Sequence, residues 1–293
     1  MIFDYWYMFP IAIAIATVAM ASGVEGATFF TPLFILGLGL PTEVAVGSGL
    51  ITEVFGFSSG LYAYMRKQLI DYKLGQMLLL VTIPLALVGT WAAAAIPETV
   101  LKGILGVGLF AIAASFLHTP NIPNIDDLGL LDPDINVHHP AHSQTCITSA
   151  KGHTFCYTVA NRTEGQLLAG IGALFLGMTS TGLGQLNGFF LIKRCRIPSP
   201  VAVATSVFVV AISALVASVG HVAQFIQAGG DTLSMVLSLV IFTAPGVLIG
   251  AQLGAIVATR LPQRQLERAM GILFVIVGGL LLGEIVLRSQ TSL

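Results

Sequence analysis

The sequence predicts an all-α polytopic membrane protein with an inverted internal repeat, each half a broken re-entrant hairpin plus about three transmembrane helices. Three observations predict it. The 293 residues are 55% apolar and 9% charged, with a mean hydropathy of +0.89. Charge-free runs at residues 74–97, 103–125, 165–192, 197–230 and 232–259 reach or exceed the ~20 residues that cross a bilayer. Two long apolar runs, Met8 to Leu40 and Leu167 to Ile192, are interrupted at matching places, by Ser22-Gly-Val-Glu-Gly-Ala-Thr28 and by Thr181-Gly-Leu-Gly-Gln-Leu-Asn187. Such breaks expose backbone N–H and C=O groups and are tolerated in a bilayer only where protein buries them or a wet cavity receives them.

The elements follow in order. After the broken first run, Pro41 to Met65 is apolar apart from Glu43 and Glu53, and the polar link Arg66 to Lys73 ends it. Leu74 to Ala95 and Thr99 to His118 are joined by a tight turn at Ile96-Pro-Glu98. Residues 119–164 change character, with four prolines, four aspartates and four histidines. The chain therefore divides into a first transmembrane repeat at 1–118, a soluble cytoplasmic insert at 119–164 and a second transmembrane repeat at 165–293. The repeat is visible residue by residue: Pro41-Thr-Glu-Val-Ala-Val46 matches Pro198-Ser-Pro-Val-Ala-Val203, Pro84 and Gly89 match Pro245 and Gly250, and Pro97, Leu101 and Gly106 match Pro262, Leu266 and Gly271. Ala19-Met-Ala21 looks like a signal cleavage site, but Met1 to Met8 carries Asp4 and no Lys or Arg, which argues against a cleaved signal.

Charge decides how the copies lie. Were each broken run a full crossing, the copies would be parallel and the basic residues would split six to seven at best. Were each a re-entrant hairpin, three crossings per copy would invert the second copy. Arg66, Lys67, Lys73, Lys151, Arg162, Lys193, Arg194, Arg196, Arg260, Arg264 and Arg268 would then share one side, with only Lys102 and Arg288 opposite. Eleven to two satisfies the positive-inside bias. Both termini then lie outside and the insert in the cytoplasm.

Glu25 sits at the first break, where half-helix N–H groups favour anions. A carboxylate deep in a bilayer costs at least ~2.5 kcal/mol and persists with a partner, a cavity or a proton. It is a candidate substrate-binding and proton-coupling acid, the alternative being a structural cap. Glu53 lies midway along its run, with no Lys or Arg at comparable depth, and is a candidate proton carrier against a hydrogen-bonded core acid. Thr28, Ser48, Thr181, Gln185, Asn187 and Thr205 supply neutral donors for an anion, the alternative being small and polar residues at helix contacts. His138, His139, His142, Cys146, His153 and Cys156 are of zinc-binding type, but their spacing fits no standard finger. Residues 145–158 read more simply as a β-hairpin turning at Lys151-Gly152. Three cysteines make no disulfide framework. No nucleophile-base pattern, P-loop or dinucleotide fingerprint is present, so neither an enzyme nor an ATPase is expected, and no cofactor.

A broken glycine-rich first segment followed by Thr31-Pro-Leu33, a proline-started second segment and a second half that repeats both resemble the sulfite exporter TauE/SafE family. In place of a run of glycines, this chain has Gly23-Val-Glu-Gly26 and Gly182-Leu-Gly-Gln185. The resemblance implies secondary transport of sulfite, sulfoacetate or a similar sulfur oxyanion or organosulfur compound across the bacterial inner membrane. The partners expected are a small anionic substrate and the lipid bilayer; net charge −1 argues against nucleic acid, and a homodimer is left open. The rival reading is a passive anion channel, which the same broken helices could line.

Overall fold

A computed structural model describes residues 5–22, 25–117, 145–159, 161–257 and 263–291. Helices α1 (Met8–Ser22) and α2 (Ala27–Leu36) flank the first break, and α3 (Thr42–Lys67), α4 (Tyr72–Ala95) and α5 (Glu98–Leu117) follow. A two-stranded antiparallel hairpin, β1 (Thr145–Thr148) and β2 (Thr154–Tyr157), precedes the second half. There α6 (Arg162–Thr179) and α7 (Leu183–Gly188) flank the second break, a π-helical turn (Phe189–Arg194) continues α7, and α8 (Ser199–Ala228), α9 (Gly230–Val257) and α10 (Gln263–Thr291) complete it. Among the described residues, six helices are long and apolar enough to cross a membrane: α3, α4, α5, α8, α9 and α10. Pro41 and Pro198 stand at the N-caps of α3 and α8, positions where a missing N–H costs nothing.

The packing partners interlock the halves. Helix α1 packs on α9, and α6 packs on α4. The α1–α9 contact runs through Gly246, Gly250 and Gly254, which meet Phe9–Ala12, Ile13–Ala16 and Thr17–Met20 in that order. A Cβ at Gly250 would lie 2.5 Å from the Ile13 carbonyl oxygen, so small residues let these backbones touch, as helix pairs in lipid require. Both series ascend, and the two helices therefore run parallel. On the α4–α6 side Gly170 meets Val81 and Leu85 while Gly177 meets Ala86 and Gly89, again parallel.

Side-chain registers fix the remaining directions. Thr52 bonds Thr243 and Ser59 bonds Gln252, so α3 and α9 are parallel. Gly47 meets His221 and Phe225, whereas Leu61 and Tyr64 share a cluster with Val201 and Ala204, so α3 and α8 are antiparallel. Gly106 meets Leu282 and Gly271 meets Leu117, so α5 and α10 are antiparallel too. Within the first half, α2 descends against α3, with Gly26 beside Glu53 and Thr31 beside Gly49. In the second, Gly172 meets Gly182 and Gly165 meets Phe190, so α7 doubles back on α6.

One end of the bundle thus gathers the α3–α4 link with Arg66, Lys67 and Lys73, the start of α6, the α7–α8 link and the start of α10; we call it the basic end. Lys102 lies at the other end. Arg260 is outside the described residues. Large side chains such as Leu80, Trp91, Val219, Leu237 and Ile276 remain exposed around the bundle, as a lipid-facing surface demands.

The β-hairpin docks at the basic end. The Ala150 N–H donates to the Lys67 carbonyl at 3.0 Å, and the Tyr157 hydroxyl donates to Asp71 Oδ2 at 2.6 Å. Asp71 is buried and also caps α4, accepting from the Leu74 N–H at 3.0 Å. Burial and the neighbouring Asp71 carboxylate push the Tyr157 phenol well above its ordinary range. Cys146 and Cys156 face each other across the strands and are joined in a disulfide, with Cα atoms 4.1 Å apart. Three cysteines were expected to make no disulfide framework; one pair nonetheless bridges, because the hairpin register, which spacing alone does not show, sets the two side by side. While the bridge is closed, the pair offers no thiolate ligands. His138, His139 and His142 lie outside the described residues.

Candidate functional site

The two breaks meet. Gly182, at φ +110°, adopts a conformation that only glycine takes without strain. It turns the chain from α6 into α7, leaving the Gly182 and Gly184 N–H groups facing the first break. Glu25, from the first break, fills that position. The Gly184 N–H donates to Glu25 Oε1 at 2.7 Å and the Gly182 N–H donates to Glu25 Oε2 at 3.3 Å. Gln185 shares the work, its Oε1 accepting from the Gly182 N–H at 3.1 Å. A side chain at Gly184 would collide with the Glu25 carboxylate.

A cavity of about 400 Å³ opens beside this contact. Glu25, Glu53 and Gln185 lie on its wall, together with Ser206 and Tyr64. Glu53 is 3% exposed. Its carboxylate faces the N–H groups of Gly26 and Ala27, but neither oxygen has a hydrogen-bond partner in range. Each half-helix start thus confronts one acid from the first half of the chain. Among the described residues no Lys, Arg or His lies on the wall, and the positive potential they offer the cavity is that of backbone N–H groups.

The wall has a direction. Along α3 it climbs from Glu53 through Gly56, Phe57 and Gly60 to Tyr64, and it includes Ile192 and Ala202 where α7 gives way to α8. These residues lie toward the basic end. On the opposite side of Glu53, Val46, Leu50, Phe30 and Phe34 are fully buried. Farther on, Lys102 bonds Glu284 at 3.0 Å and Glu98 at 3.3 Å, tying α5 to α10 across the two halves.

Comparison with known proteins gives this geometry its family. The family described as sulfite exporter TauE/SafE matches residues 8–281. The chain belongs to the sulfite exporter TauE/SafE family. Among curated relatives, the Probable membrane transporter protein YunE of Bacillus subtilis (strain 168) is 24% identical over 243 residues, covering 83% of this chain and 81% of that one. The Probable membrane transporter protein YjnA of the same organism is 27% identical over 277 residues, covering 88% and 91%. No solved structure matches. A TauE/SafE protein is a membrane transporter and not an enzyme, in keeping with the six apolar helices.

Within this TauE/SafE chain, the candidates from sequence separate into two groups. Glu25, Glu53 and Gln185 reach the cavity. Thr28, Ser48, Thr181, Asn187 and Thr205 are buried but lie off its wall. The Thr205 hydroxyl accepts from the Asp71 N–H at 3.0 Å and serves the α4 cap beneath the hairpin. Thr181 lies 3.3 Å from the Thr179 hydroxyl. Thr28, Ser48 and Asn187 each keep a buried polar atom without a partner. Sequence reasoning missed Ser206 and Tyr64 as wall residues. Ser206 adjoins Thr205, and one residue turns a helix by about 100°, which a repeat match cannot resolve.

Proposed function

We propose that this chain is a proton-coupled secondary transporter that carries a small oxyanion, a sulfur oxyanion or organosulfonate such as sulfite or sulfoacetate, across the bacterial inner membrane. The observation that carries the reading is a blind cavity at the meeting point of the two breaks, lined by two carboxylates and by backbone N–H groups. A passive channel needs a continuous path. Here the wall stops at Glu53 and Phe30, and buried apolar side chains follow, which favours alternating access over a pore.

The opposite running of α3 and α8, and of α5 and α10, supports an inverted repeat with its pseudo-two-fold axis in the membrane plane. Ten of the eleven basic residues assigned to one side fall at the basic end among the described elements, which supports placing that end in the cytoplasm. The cavity then opens inward. The Lys102–Glu98–Glu284 cluster, joining one helix of each half, is suited to hold the outer end shut.

The test is uptake into proteoliposomes of sulfite, sulfate, sulfoacetate and short carboxylates, with and without a pH gradient. Accumulation of a sulfur oxyanion above equilibrium under the gradient supports the reading. Flux that only ever runs down the anion's own gradient, unaffected by pH difference, leaves the channel standing instead.

A further inference from the structure

Among the described residues, a cavity read as an anion site carries two carboxylates and no cation on its wall. Left as it stands, it repels what it should bind. The contact between the breaks resolves this. Two backbone N–H groups converging on one oxyanion are what a transported sulfonate or sulfite needs, and the Gly184 and Gly182 N–H groups already converge on the two oxygens of Glu25, at 2.7 and 3.3 Å. We propose that Glu25 is a built-in occupant of the anion seat, and that the transported oxyanion takes the Gly182 and Gly184 N–H groups when Glu25 takes up a proton and swings away. This rests on the anion-transport reading above and names the site and coupling step within it.

Glu53 supplies the second, independent support. It is nine-tenths buried or more, lines the same cavity, and neither of its oxygens accepts a hydrogen bond. A protonated Glu25 released from the seat finds in Glu53 an acceptor for its O–H, and hydrogen bonds to an ionised acceptor are the strong ones. The charge balances. Before the exchange the cavity holds two carboxylates; afterwards it holds one carboxylate, one carboxylic acid and one anion. One proton therefore enters with each anion; the charge in the cavity is unchanged for a monovalent anion and becomes more negative by one for a divalent anion such as sulfoacetate.

The groups that could blur this titration are few. Helix α3 presents Glu53 and Tyr64 to the cavity, α7 presents Gln185 at the second break, and α8 presents Ser206. The residues of α1, α5 and α9 on the wall, such as Ala16, Phe116 and Val247, carry no ionisable side chain. Gly184 matters for the same reason, since any side chain there would exclude an oxyanion as surely as it would exclude Glu25.

The experiment is calorimetric binding to the full-length chain in detergent. The probe is sulfoacetate, whose charge does not change between about pH 6 and about pH 8 because its carboxyl and sulfonate groups are both ionised there. In the wild type, affinity should fall with rising pH, approaching about tenfold per unit as one proton is linked to each anion bound. Glu25→Ala vacates the seat, and it should bind at pH 8 at least as tightly as the wild type does at pH 6, with no dependence on pH. Glu25→Gln keeps a neutral acceptor in place if alanine unsettles the break, and it too should lose the slope while retaining binding.

Loss of binding in both variants at an unchanged melting temperature would overturn the proposal, since Glu25 would then be a required ligand or a cap. A wild-type pH slope surviving in either variant would overturn it equally. Both outcomes leave anion transport intact. A wild type that binds none of the sulfur or carboxylate anions at any pH sinks the transport reading and this proposal together.

Discussion

Gln185 and Asn187 stand two residues apart at the second break, and sequence treats them alike as amide donors for an anion. The structure separates them: Gln185 is on the cavity wall with its Oε1 on the Gly182 N–H, while Asn187 is 1% exposed and off the wall. A hydrogen bond involving a charged group contributes about 1.5–3 kcal/mol, so Gln185→Ala should weaken anion binding by roughly one to two orders of magnitude. Asn187→Ala should leave affinity within about threefold, a difference worth under 1 kcal/mol; equal losses at both positions, measured by calorimetry, would place the anion elsewhere. Glu25 and Glu53 were legible because an acid inside an apolar run is costly enough to demand a reason. The hydroxyl residues were not, because a Ser or Thr costs little to bury and can bond a nearby hydroxyl or carbonyl instead of a ligand. Thr31 and Ser180, for instance, meet at 2.6 Å.

At the scale of elements, the hairpin and the half-helix contacts carry the stability that the site depends on. Tyr157→Phe removes the 2.6 Å bond to Asp71 and leaves a buried carboxylate oxygen short of a donor, a loss of about 1.5–3 kcal/mol. It should speed proteolysis of the hairpin and lower the melting temperature without abolishing anion binding; an unchanged melt would mean that the hairpin rests on its apolar face of Ile147 and Phe155 alone. Gly250→Leu drives a side chain into the Ile13 carbonyl, where even a Cβ would sit at 2.5 Å. It should destabilise the α1–α9 pair by several kcal/mol, as overpacking with no room to yield does, and the fall in melting temperature should far exceed that of Gly283→Leu, where a Cβ meets nothing. The sequence announced the hairpin through its Lys151-Gly152 turn, and the six crossings through their length. It did not announce that α1 would pack on α9 of the other half, since glycine spacing marks a close contact without naming the partner.

For the molecule as a whole, labelling reads orientation and proton flux reads coupling. Cysteines introduced at Lys151 and Ser289 in a background free of other cysteines should label from opposite sides of intact cells, Ser289→Cys from outside; labelling from one side would reject the inverted arrangement. The Cys146–Cys156 bridge offers a second check on the same end. Cytosolic thiols are held reduced, so rapid alkylation of lysing cells should trap the native pair as thiols and find the bridge only after purification in air. A pair fully oxidised in cells would instead put the basic end outside. The expectation of a duplication rests on prolines and glycines at 41, 84, 97 and 106 that recur at 198, 245, 262 and 271, and the labelling above is what tests its inversion. The state of the molecule, open toward the basic end and shut beyond Glu53, is a matter of packing and left no mark in the residue order. The central claim is that one proton accompanies each anion through the two-carboxylate cavity, and the most direct test is proton flux into proteoliposomes on adding substrate, with no pH gradient imposed and a pH dye inside. The wild type should acidify the interior as anion enters, and Glu25→Gln should bind the anion yet acidify nothing; anion uptake by the wild type with no change in internal pH would contradict the account.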